Sequence, residues 1–112
     1  MKIAIIGSRG FTDYKLFCEK LFSLDYEVSE IVSGGARGTD ALAKRFAYEY
    51  DIPYTEFKAD WTLGRGAGMI RNVLMLNYSD KVISFWDGVS RGTKQMIDKS
   101  RKCGKLLVLY NV

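Results

Sequence analysis

The sequence contains no histidine. That removes Ser-His-Asp and Cys-His nucleophiles and histidine-ligated zinc from the chemistry open to this chain. Any reaction must rest on carboxylates, lysine, arginine, tyrosine or the ligand itself. Cysteine occurs twice, at Cys18 and Cys103, without the spacing of a metal site. Two reduced thiols packed in helices are expected, and no metal or cofactor. No apolar run approaches the roughly 20 residues of a membrane span. The first run, Ile3 to Ile6, is too short for a signal peptide. A soluble, cytoplasmic protein is the expectation, with no membrane partner. Charge of one sign is also scarce: 17 Lys and Arg stand against 13 Asp and Glu, a net charge of +4 with the basic residues scattered. That favours a small anionic ligand only weakly and offers no dense basic stripe for nucleic acid.

What is present is the material of one α/β domain. The chain has 112 residues, 47% of them hydrophobic, enough for one domain and one core. Short apolar runs alternate with amphipathic stretches. Strands are predicted at Lys2–Ile6, Glu30–Ser33, Tyr54–Phe57, Lys81–Trp86 and Lys105–Tyr110. Helices are predicted between them. The first spans Tyr14–Leu24 behind Asp13 as N-cap. The second spans Thr39–Tyr50 with Leu42, Phe46 and Tyr50 four residues apart. The third spans Ala67–Ser79 with Ile70, Val73, Leu74 and Asn77 along one face. The fourth spans Gly92–Lys102 and stops at Gly104. Strands alternating with helices imply a doubly wound, Rossmann-like three-layer sandwich. Its sheet should be five-stranded and parallel, in the order 3-2-1-4-5, with helices on both faces.

Such sheets bind ligands at the carboxyl ends of their strands. Three of those ends combine glycine, hydroxyl and arginine. They are Gly7-Ser8-Arg9-Gly10, Gly34-Gly35-Ala36-Arg37-Gly38-Thr39-Asp40, and Trp86-Asp87-Gly88-Val89-Ser90-Arg91-Gly92-Thr93. The connections at the opposite edge lack the pattern. Glycine lets a backbone approach a ligand, helix N-termini favour anions, and arginine forks onto phosphate. Arg71 and Asn72, one turn into the third helix, are the remaining candidates for this site. No Gly-x-Gly-x-x-Gly follows the first strand and no Gly-Lys-Ser/Thr occurs, which sets aside the dinucleotide fingerprint and the P-loop. Asp40 can serve as a site carboxylate or complement its helix dipole, and Asp87 as a carboxylate or a turn residue. Trp86 can stack on a base or pack in the core. Trp61, Phe11 and Tyr14 stand where they could cap the pocket.

Taken in order, these segments resemble the SLOG superfamily, with the small YspA/YpsA-like proteins as the nearest branch. The matching segments are Gly7–Arg9, Gly34–Asp40, Gly66-Ala67-Gly68-Met69-Ile70-Arg71-Asn72, and Phe85–Gly88 with Ser90–Thr93. The resemblance implies a Rossmann-like domain that binds nucleotides or nucleotide-derived signals as a sensor or sequestering protein, in some members in conflicts between phages and bacteria. It also implies a homo-oligomer, a dimer or tetramer. Two other activities occur among the relatives: phosphoribohydrolases that release a base from a nucleoside monophosphate, and DprA-like nucleic-acid binding. The hydrolases carry Pro-Gly-Gly-x-Gly-Thr-x-x-Glu with a catalytic glutamate. Here Met96 stands three residues after Thr93, in that glutamate's place. Asn72 follows the matching arginine where the hydrolases have lysine, and Met69 stands where close relatives usually have proline.

Overall fold

The computed structural model describes residues 1–112. Its five strands are β1 (Lys2–Gly7), β2 (Glu30–Ser33), β3 (Tyr54–Glu56), β4 (Lys81–Trp86) and β5 (Leu106–Asn111). Its helices are α1 (Tyr14–Phe22), α2 (Thr39–Glu49), α3 (Ala67–Tyr78) and α4 (Arg91–Lys102). The sheet is wholly parallel in the order β3-β2-β1-β4-β5. The two central strands explain that order. Ile3 to Ile6 in β1 and Val82 to Phe85 in β4 are buried on both faces, as strands covered by helices on each side must be. β1 pairs with β2 on one side and β4 on the other, so strand order reverses beside it. A crevice opens at that reversal, at the carboxyl ends of the strands.

Two cores lie on opposite faces of the sheet. On one, Phe17 and Leu21 of α1 and Leu42, Ala43, Phe46 and Ala47 of α2 cover Ile3, Ile5, Ile31, Ile83 and Phe85. Phe85 stacks between Phe11 and Phe17, at centroid distances of 5.3 and 5.0 Å. On the other, Met75 and Leu76 of α3 and Met96 and Ile97 of α4 cover Ala4, Ile6, Val32 and Val82. Local signals set the helix ends. The Asp13 carboxylate accepts from the Leu16 N–H at 3.1 Å, and Gly104 leaves α4 at φ +72°. No helix is long and apolar enough to cross a membrane.

The structure corrects the sequence reading in several places. α1 ends at Phe22, where Ser23 closes it, rather than at Leu24. Tyr50 is exposed because α2 ends at Glu49. The loop after β3 contains a 3-10 turn at Trp61–Leu63, started by the Asp60 side chain. Cys103 lies beyond the last turn of α4 and is exposed, so only Cys18 is a partly packed helix thiol. The largest difference is in α3. The stripe Ile70, Val73 and Leu74 faces outward, at 47%, 38% and 54% exposure, while Ala67, Met75 and Leu76 are buried. Arg71 is the only charged residue of this helix, so apolar side chains run almost all the way round it. Periodicity then cannot say which face meets the sheet.

Candidate functional site

The crevice at the strand ends has two adjoining lobes. The first, about 300 Å³, has an apolar floor of Ile6, Met75 and Met96. Its rim carries Gly7, Arg9, Gly34, Ala36, Asp40, Arg71, Asn72, Ser90, Gly92 and Thr93. The second, about 580 Å³, shares Arg9, Gly34, Ala36 and Arg71 and adds Gly35, Arg37, Glu56, Lys58, Ala59 and Trp61. Arginines from three different loops or helices therefore converge on one crevice.

The α4 end of the first lobe is built by its cap. Ser90 Oγ accepts from the Thr93 N–H at 3.5 Å and lies 3.0 Å from Thr93 Oγ1. The N–H groups of Arg91 and Gly92 find no backbone acceptor. Free N–H groups at the start of a 12-residue helix, with the helix dipole behind them, make a site suited to an anion. Arg71 faces them from α3. Its Nη1 donates to the Gly34 carbonyl at 2.7 Å and to the Phe57 carbonyl at 3.4 Å, and its Nε donates to Asn72 Oδ1 at 2.8 Å. Nη2 has no hydrogen-bond partner in the protein. The guanidinium is thus fixed at Nε and Nη1, and its Nη2 is left free. Gly34 permits this: a Cβ there would stand 2.6 Å from Arg71 Nη1.

The remaining candidates brace the loops instead of lining them. Ser8 is buried and ties three loops together. Its N–H donates to the Phe85 carbonyl at 2.9 Å, its Oγ accepts from the Asp87 N–H at 2.9 Å, and its carbonyl accepts from Thr39 Oγ1 at 3.0 Å. Thr39 is equally buried. Gly38, at φ +72°, packs against the backbone of Arg9, where any side chain would collide. Asp87 is a turn residue: its Oδ1 accepts from the N–H groups of Val89 and Ser90 at 2.8 and 2.9 Å. Those two bonds hold its carboxyl below the usual carboxylate range. Trp86 packs against the α3–α4 core and donates from Nε1 to the Ser90 carbonyl at 3.0 Å. Arg91 is exposed and lines neither lobe.

A family model described as YspA, cpYpsA-related SLOG family matches residues 1–64. The chain belongs to the SLOG family. The match takes in the first two glycine loops and the strand leading to Glu56, while Arg71 and the α4 cap lie beyond it. The chain is also similar to the Gene 61 protein of Mycobacterium phage D29, at 30% identity, with 92% of this chain and 90% of that protein covered. No solved structure matches.

Two carboxylates stand in this SLOG crevice. Asp40, at the second position of α2, accepts from the Ala36 N–H at 3.1 Å. Burial pushes its carboxyl up to about 6, against the opposing pull of that N–H and of Arg71. Glu56 was not among the sequence candidates. It ends β3, accepts from the Tyr54 hydroxyl at 2.9 Å, and its charge further raises Asp40. Tyr54 in turn lies 2.6 Å from Ser33 Oγ, and burial raises its hydroxyl pKa. The rule that ligands meet strand carboxyl ends would have found Glu56, because β3 ends at the same edge. Attention to glycine loops alone passed it over, with Lys58 and the apolar floor.

Proposed function

We propose that this protein binds a nucleotide or nucleotide-derived ligand, with its phosphate in the first lobe and its remaining part toward Trp61 in the second. The observation that carries the reading is the opposed pair of donors around one small lobe: the free α4 N-terminus and the unpartnered Nη2 of Arg71. An anion between them meets oriented N–H dipoles and a fixed guanidinium, both of which favour phosphate. Arg9, Arg37 and Lys58 extend positive charge along the path to the second lobe. Trp61 presents an exposed ring there against which a base can stack. SLOG membership and the phage relative support a ligand of this kind and a phage setting. Sensing or sequestration is the role that binding alone supplies.

A second reading has its own observation. Asp40 is a buried carboxyl inside the lobe that burial pushes up to about 6, toward the range suited to acid–base work on an N-glycosidic bond. Against it stands Met96, a thioether in the lobe floor where the hydrolytic relatives have a carboxylate. Calorimetry with a panel of nucleoside mono- and diphosphates, followed by chromatography of the mixtures, tests both. The binder reading expects saturable binding that Arg71→Ala weakens, with no free base released. Release that depends on Asp40 would replace it with the hydrolase. No binding of any member, and no effect of Arg71→Ala, would refute the site.

A further inference from the structure

The second lobe of the crevice is cationic with one exception. Arg9, Arg37, Lys58 and Arg71 line it, and Glu56 is its only carboxylate. Asp60, just along the loop, is occupied: its Oδ1 accepts from the N–H and the hydroxyl of Thr62. Glu56 is held by a directional chain of hydrogen bonds. The Tyr54 hydroxyl donates to Glu56 Oε1 at 2.9 Å, which spends its single proton. The Ser33 hydroxyl, 2.6 Å from the Tyr54 oxygen, must then be the donor to it. Donors from β2 and β3 thus run toward Glu56 and stop there. Gly35 lets the carboxylate lie against the loop after β2, since a Cβ there would stand 2.7 Å from its Cδ and 2.9 Å from Oε2. Oε2 itself accepts no hydrogen bond from the protein. Lys58 Nζ, on a side chain 84% exposed, comes only within 4.0 Å of it, an ion pair of the kind worth little at a surface.

This free acceptor stands near the junction of the two lobes. Gly34, the neighbour of Gly35, lines both of them. Phe57, the neighbour of Glu56, offers the carbonyl that Arg71 Nη1 reaches at 3.4 Å. In a nucleotide the sugar lies between phosphate and base. A phosphate in the first lobe and a base on Trp61 therefore put the sugar beside Glu56. We propose that Glu56 is the specificity-determining residue of the crevice: it accepts hydrogen bonds from the sugar hydroxyls, and so selects ribose over deoxyribose and a free hydroxyl over a second phosphate. This inference rests on the ligand reading above and deepens it. An ionised carboxylate can only accept, and each ribose hydroxyl has a proton to donate. The four cations around the lobe would welcome a further phosphate on the sugar. Glu56 opposes it, because two anions would then be set side by side.

Calorimetric titration of the full chain tests it, with nucleoside 5′-monophosphates, their 2′-deoxy counterparts and their 3′-phosphorylated forms as probes. The wild type should bind the ribonucleotide about tenfold or more tighter than the deoxynucleotide, the worth of a hydrogen bond to a charged group. It should bind the 3′-phosphorylated form more weakly than the monophosphate. Glu56→Gln keeps the side-chain volume and should bring the ribose-to-deoxyribose ratio to about one. The same variant should bind the 3′-phosphorylated form more tightly than the wild type does, a gain that a folding defect cannot produce. Arg71→Ala should weaken ribo- and deoxynucleotide alike and leave their ratio standing. Equal affinities in the wild type, a ratio unchanged in Glu56→Gln, or no gain for the 3′-phosphorylated form would each overturn the role of Glu56, while binding that depends on Arg71 would leave the ligand reading intact. Failure of every nucleotide to bind the wild type would overturn both.

Discussion

Asp40 should leave a signature in the stability of the empty protein. Its carboxyl has an ordinary value of 3.8 and stands at about 6 in the fold, chiefly through burial. A carboxyl raised on folding binds its proton more tightly in the native state. Its ionised form is then relatively disfavoured there, and stability falls as pH rises from the unfolded value through the folded one. Integrating between those two values gives a loss of about 1.4 kcal/mol between pH 5 and 7.5, and about 3 kcal/mol over the whole titration. Most proteins could not resolve this, because histidines titrate in the same interval. This chain has none. Urea unfolding at half-unit steps from pH 5 to 7.5 should show a steady decline in ΔG of that size. Asp40→Asn should flatten it, since the amide oxygen can still accept from the Ala36 N–H but cannot ionise. Comparing slopes separates this titration from the pH-independent effect of losing the attraction to Arg71. A wild-type stability that is flat or rises over this range, or a slope retained in Asp40→Asn, would refute the assignment of a buried, uphill carboxylate to this lobe.

Other substitutions probe the crevice and its supports separately. Arg71→Ala should weaken nucleotide binding about 10- to 100-fold, the worth of a charge-assisted hydrogen bond, and should cost roughly 1–3 kcal/mol of stability by leaving the Gly34 carbonyl without its donor; calorimetry of binding and of unfolding reads both halves of that statement. Gly34→Val should weaken binding similarly by displacing the guanidinium, because the added Cβ would stand 2.6 Å from Arg71 Nη1. Ser8→Ala should instead cost roughly 1–3 kcal/mol of folding stability by leaving the Asp87 N–H without its acceptor, measured by denaturant titration. Ser84 Oγ is buried without a hydrogen-bond partner. Ser84→Ala should therefore leave stability unchanged or raise it, and a loss beyond about 1 kcal/mol would mean that the hydroxyl is satisfied in solution.

The parts of this molecule that were legible in the sequence are those where one short segment carries the whole signal. The short runs Ile3–Ile6 and Val82–Phe85, each bounded by turn residues, read as strands covered on both faces, and the alternation with helices then points to a parallel sheet. The glycine loops likewise mark the sheet edge at which the crevice opens. What escaped depended on relations between segments. Ser8 and Thr39 look like ligand donors in isolation, yet their hydroxyls are consumed joining the loops after β1, β2 and β4. Asp87 looks like a spare carboxylate until the two N–H groups ahead of it turn back to bind it. Glu56 carries no local pattern and enters the crevice only because β3 ends beside β2. In α3 the sequence holds two apolar faces, and a single copy of the sheet can bury only one. The face it leaves out is chosen by Arg71. That side chain must reach the carbonyls of Gly34 and Phe57, and turning it inward rotates Ile70, Val73 and Leu74 to the outside. The same residue that equips the crevice therefore turns the apolar face of α3 to the outside.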